Sequence, residues 1–127
     1  MRPWIRWFPS ALWGLLILLL SSQPETFFPF TASQGRQYRL IHYHMEIAVH
    51  LVEFCVFFLL VAWPLRSRGR PWVAVIGHAF GAVVVLSVLN ESVQALTPTR
   101  TFDVGDMRVD VLGAGLGALL ALGTDRN

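Results

Sequence analysis

Glu91-Ser-Val-Gln94, then Arg100-Thr-Phe-Asp103-Val-Gly-Asp106-Met-Arg-Val-Asp110, is a polar and charged run set between two strongly apolar stretches. In a water-soluble protein it would pass for an ordinary loop with two helix ends. Here its neighbours read as membrane. Ionisable side chains in or near hydrocarbon are costly, so such a run marks a candidate functional site.

The composition supports that reading. Of the 127 residues, 54% are hydrophobic, and the mean hydropathy is +0.53. This is too apolar for a soluble domain of this size, and the apolar residues come in long blocks. The length suits one helical bundle, a single domain over 1–127, rather than two domains. All ten basic residues are arginine, and the net charge is only +2. The arginines stand singly or in one short loop, which does not make a nucleic-acid surface. Cys55, the only cysteine, has no partner for an internal disulfide and reads as a small packing residue. No CxxC or His/Cys metal spacing occurs.

Four apolar stretches of membrane-spanning length stand out, at about 4–22, 44–63, 72–96 and 104–123, each near the ~20 residues that cross hydrocarbon. Ser21-Ser22-Gln23-Pro24 follows the first instead of a small-x-small cleavage site, so that stretch is expected to be an uncleaved helix. Pro64 is expected to end the second. The fold class is therefore all-α, a bundle of four transmembrane helices. Arginines in the short flanks set the orientation. Arg2, Arg6, Arg66, Arg68, Arg70 and Arg126 fall on one side, against Arg36, Arg39, Arg100 and Arg108 on the other. Both termini are expected in the cytoplasm, which makes the chain a multi-pass membrane protein.

This topology gathers the polar residues. Glu91 lies nineteen residues beyond Trp72, which at ~1.5 Å per residue carries it to the far interface. Gln94 follows one turn outward on the same face. Asp106, Asp110, Gly113 and Gly117 share one stripe of the fourth helix, and Glu46, His50 and Glu53 share one of the second. All four helices then present polar groups at the same extracytoplasmic end. Simpler roles exist for several of them. Ser21 and Ser22 can satisfy helix-end carbonyls, His50 can be a hydrogen-bonded interior histidine, and Asp106 suits a helix N-terminus. His78 reads as packing, and Gly113 and Gly117 as a small-xxx-small face for close helix contact. Asp110, a turn deeper than Asp106, is harder to explain by a cap.

Three pieces, in order, resemble the VanZ-like membrane proteins across essentially the whole chain. Leu20-Ser21-Ser22-Gln23-Pro24 resembles that family's serine-serine-glutamine signature after the first helix. His50 resembles its second-helix histidine, with Glu46 where the family usually has aspartate. Glu91-x-x-Gln94, Arg100, Asp103, Asp106, Gly113 and Gly117 resemble its long C-terminal signature. The chain departs at Asp110, commonly asparagine in the family, and at Glu46-Ile47, commonly Asp-Lys. The resemblance implies a small four-helix envelope protein, and the family name derives from teicoplanin resistance.

Three functions compete. The first is an enzyme, a hydrolase or transferase acting on a lipid-linked substrate. His50, Glu91 and Asp106 would be its catalytic groups, and Gln94, Arg100, Asp103, Asp110, Ser22 and Gln23 would bind the ligand. Arg100, with Arg108 or Arg36, would hold a phosphate or carboxylate. Glu91, Asp106 and Asp110 would be the ligands of a divalent cation, should the site use one. The second is a binder of an envelope lipid or a lipophilic glycopeptide, using the same residues without turnover. The third is an accessory subunit, alone or as a homo-oligomer, in which Glu91, Arg100 and Asp106 pair to lock the helices.

Overall fold

A computed structural model describes residues 3–23, 35–98 and 100–125, of residues 3 and 35–39 the backbone alone. The described residues are helical apart from short connections. A 3-10 turn, Pro3–Trp7, leads into α1 (Phe8–Ser21), and α2 (Gly35–Arg66), α3 (Trp72–Ala95) and α4 (Val104–Thr124) follow. Among the described residues, four helices are long and apolar enough to cross a membrane: Trp4–Ser21, Leu40–Arg66, Trp72–Ala95 and Val104–Thr124. The valine run Val83-Val84-Val85, a poor helix former in water, is helical here. In hydrocarbon every backbone N–H and C=O must be bonded within the segment, and that requirement overrides propensity.

The second helix departs from its expected 44–63. It begins at Gly35 and continues through Pro64 to Arg66. Pro64 lies in the last turn, where its missing N–H forfeits one bond and leaves the rest of the ladder intact. The helix closes as Ser67 N–H donates to the Trp63 carbonyl (2.9 Å) and Gly69 N–H to that of Arg66 (2.9 Å). Gly69 takes φ +74° there, a conformation that suits glycine.

Burial is inverted relative to a soluble protein. Leu12, Leu15, Leu19, Leu112, Leu119 and Leu120 are exposed, while Ser87, Asn90, Glu91, Gln94 and Asp110 are buried. An outward apolar face with a polar interior is the pattern of a bundle surrounded by lipid. His78 departs from its packing role. It is exposed on α3, its Nδ1 2.6 Å from the Ala74 carbonyl oxygen, so its polarity is met within its own helix. The apolar part of the core joins Phe54, Phe58 and Val61 of α2, Val75, Ala79 and Val83 of α3, and Ala114 and Ala118 of α4, with Ile17 of α1.

The most extensive helix contact is α2 against α4, and two glycines make it. A Cβ on Gly113 would stand 2.6 Å from the Leu51 carbonyl oxygen, and one on Gly117 2.9 Å from that of Cys55. Both pairs are 62 residues apart, so the helices run parallel in one register. That register sets Val104 level with His42, and α2 extends beyond α4 by its first seven residues, about 10 Å. Helix α3 runs against both, and α1 closes the side, Trp13 donating its indole N–H to the Glu53 carbonyl (3.0 Å).

At the end opposite the polar cluster, Arg66 binds Asp125 (2.9 Å) and lies over the Trp72 ring. Trp72 donates to the same carboxylate (2.6 Å). These donors hold the Asp125 carboxyl below its ordinary pKa, the Trp72 bond first and Arg66 second. A lowered carboxyl pKa stabilises the folded state above the ordinary value near 3.8. That contribution is lost as pH falls from there through the lowered value. Acid titration of Trp72 fluorescence should show a small transition in this window, absent in Asp125→Asn. An unchanged titration in that variant would remove Asp125 as its origin.

Candidate functional site

At the other end, polar side chains from all four helices come together. The deepest centre is Asp110, with none of its surface exposed, six residues into α4. One carboxylate oxygen lies 2.7 Å from His50 Nδ1 of α2. The other accepts from the Ser87 hydroxyl of α3 at 2.6 Å. Asp110 therefore ties three helices together. It also orients the histidine: Nδ1–H faces the carboxylate, leaving Nε2 without a partner among the described residues. The ring stacks on Phe54 (6.4 Å between centroids, 7° between planes).

Chemically this is a histidine–carboxylate pair, an arrangement that sets the tautomer and frees the second nitrogen for proton transfer. It is not a nucleophilic triad. Ser87 binds the aspartate rather than the histidine, so its proton is directed away from His50.

Nearer the end of the bundle lies Glu91, also with no exposed surface. Its Oε2 accepts the Asp103 backbone N–H at 2.8 Å and so holds the α3–α4 connection in place. Its Oε1 has no hydrogen-bond partner among the described residues, and neither do the buried Asn90 Nδ2 and Arg100 Nε. Asn90 Oδ1 accepts from the Ser21 hydroxyl, which joins α1 to α3. Glu91, Arg100 and Asp106 form no ion pair with one another. Asp106 is half-buried, with His50, Asp103, Asp110 and Arg100 in Coulombic range. Glu53 feels His50, Asp110 and Arg100.

The other residues singled out from the sequence take varied places. Gln94 is buried one turn beyond Glu91. Asp103 is the N-cap of α4, its carboxylate accepting from Gly105 N–H at 2.6 Å. Ser22 and Gln23 turn back to the Leu19 carbonyl, at 2.7 and 3.3 Å, and do not join the cluster. Ser22 instead lines an open groove of about 410 Å³ with Val93, Leu96, Thr97 and Pro98. Glu46 lies 3.5 Å from His42 on the exposed side of α2, and Arg108 is exposed. The side chain of Arg36 falls outside the described residues. Among those described, no three His, Cys, Asp or Glu side chains are placed to hold a metal ion. Glu91, Asp106 and Asp110 lie at different depths, and both oxygens of Asp110 are engaged.

Ser21, Ser87 and Asn90 were not singled out as site residues. For the last two the signal was present: Ser87, Asn90, Glu91 and Gln94 are offset by 3, 4 and 7, one polar stripe on an apolar helix.

An apolar four-helix bundle with charged and polar groups buried at one end defines a multi-pass membrane protein. A family model described as VanZ/LLP1 matches residues 7–124, and the chain belongs to that family. Neither a curated protein nor a solved structure matches the chain.

Proposed function

We propose that this VanZ-family protein lies in the bacterial cytoplasmic membrane with both termini inside and binds the headgroup of an envelope lipid or lipid-linked precursor at its outer, polar end. One observation carries the reading. Three buried polar atoms, Asn90 Nδ2 and Glu91 Oε1 in the last turns of α3 and Arg100 Nε in the connection after it, have no partner among the described residues. Leaving a buried donor or acceptor unpaired costs about 1–3 kcal/mol, more when it is charged. A bound headgroup would supply the missing partners. A hydrolase or transferase built on this site would use His50 Nε2 as its base and Asp110 as its positioning residue. The same binding step precedes that chemistry, so binding is the function proposed.

The test is teicoplanin susceptibility in a glycopeptide-sensitive Gram-positive host, with membrane levels checked by immunoblot. The wild-type chain is expected to raise the inhibitory concentration, and equally abundant Glu91→Gln to leave it at the host's value. Protection by both would remove Glu91 from the function.

A second reading, an accessory subunit whose polar groups only lock the helices, is favoured by the His50–Asp110–Ser87 and Ser21–Asn90 contacts. It accounts for the paired groups and leaves the three unpaired ones without a role. On that reading Glu91→Ala would lose folded protein along with function.

A further inference from the structure

Two of the unpartnered atoms belong to groups of opposite charge. Glu91 is wholly buried and offers an acceptor, Oε1; Arg100 offers a buried donor, Nε. Both touch the α3–α4 connection: Glu91 grips it at Asp103, and Arg100 lies within it, its N–H bonded to the Thr97 carbonyl. The carboxylate and the guanidinium form no ion pair with each other, and a ligand fitting both must bring a cation for one and an anion for the other.

The surrounding charges say which end matters more. Among the described side chains at this end, the carboxylates Glu46, Glu53, Glu91, Asp103, Asp106 and Asp110 outnumber the guanidiniums Arg100 and Arg108, so an anion alone meets net repulsion and an ammonium meets attraction. At the same end of α3, the open groove lined by Ser22, Val93, Leu96, Thr97 and Pro98 is mostly apolar, a place for the chain of an amphiphile.

From this we infer that the site takes an aminoalkyl phosphate, a primary ammonium joined to a phosphate as in a phosphoethanolamine lipid headgroup. The ammonium donates to Glu91, and Arg100 holds the phosphate. The inference rests on the headgroup-binding reading above and narrows it. A trimethylated ammonium would fit the charge but has no N–H to donate to Oε1. A glycerol phosphate would supply the anion alone.

The experiment compares lipids on the full-length protein purified in detergent. Phosphatidylethanolamine, phosphatidylcholine and phosphatidylglycerol of identical acyl chains are added, with lipid retention read by native mass spectrometry and thermal unfolding by circular dichroism. The wild type should prefer phosphatidylethanolamine over either other lipid by roughly tenfold, the worth of one charge-assisted hydrogen bond. Glu91→Gln should bring phosphatidylethanolamine down to the level of phosphatidylcholine. Arg100→Gln should weaken all three alike. Competition by soluble glycerophosphoethanolamine at equal concentration would uphold the chemistry and assign it to a free compound rather than a lipid. Phosphatidylglycerol binding as well as phosphatidylethanolamine would overturn the zwitterion assignment and leave headgroup binding standing. Retention of none of the lipids would overturn both. The wild-type comparison decides these outcomes even where a variant fails to fold.

Discussion

Gly113→Leu should abolish the folded bundle: the purified variant is expected to show no cooperative thermal transition and to elute as aggregate. The first added carbon would stand 2.6 Å from the Leu51 carbonyl oxygen and 3.1 Å from its Cα. Those are backbone atoms and cannot rotate aside, so α2 and α4 must separate along their whole contact. Even Gly113→Ala should cost about 1–3 kcal/mol, the usual penalty for overpacking a tight interior. His50 and Asp110 bridge the same interface, and their 2.7 Å contact would stretch with it. Gly115 provides the control. It is in the same helix, but nothing lies within 4 Å of its added Cβ, so Gly115→Ala should unfold no earlier than wild type. Equal loss in both variants would show that close approach at Gly113 does not set the effect, since alanine is the better helix former at either position.

Asp110→Leu should be the second most damaging change. It removes the acceptor for both His50 and Ser87 while leaving Ser87 buried and His50 largely so. Side-chain hydrogen bonds between membrane helices are individually modest, so the combined loss should be about 1–3 kcal/mol. Asp110→Asn should keep most of the stability. Its carbonyl can accept from His50, and its amide can donate to Ser87 if the hydroxyl turns to accept. The two substitutions should also differ in the histidine itself. Nitrogen NMR of His50 should report protonation at Nδ1 in the wild type and a mixture of tautomers in Asp110→Leu. Wild-type stability in the leucine variant would mean that the contacts do not hold the bundle.

The helices were legible in the sequence because each apolar block is as long as the membrane is thick, a condition independent of tertiary detail. Their convergence on one polar end followed from connectivity alone: four crossings with short links leave few places for Glu91, His50 and Asp110. Pro64 misled because proline is tolerated in a last turn, which looks no different in sequence from a helix stop. Ser22 and Ser21 show the limit of linear reading. Adjacent residues on a helix point about 100° apart, and the serine facing Asn90 is Ser21. Asp103 illustrates another limit. Its place three residues before Asp106 is a recognisable cap pattern, and the carboxylate is used there. Which polar groups pair and which are left over, the distinction on which the proposed site rests, depends on interhelical distances of a few tenths of an ångström. No spacing in the chain encodes those.

The depth of Asp110 has an electrical consequence. From Asp110 to the end of α4 at Thr124 is fourteen residues, about 21 Å of helix, whereas the whole of α4 is about 31 Å. A voltage drops where the medium is insulating, and polar groups at the upper third of the bundle shorten that layer. With the proposed site open to water, a membrane potential acts over a thinner slab here than in the surrounding lipid, its gradient steepest just beneath the histidine–aspartate pair.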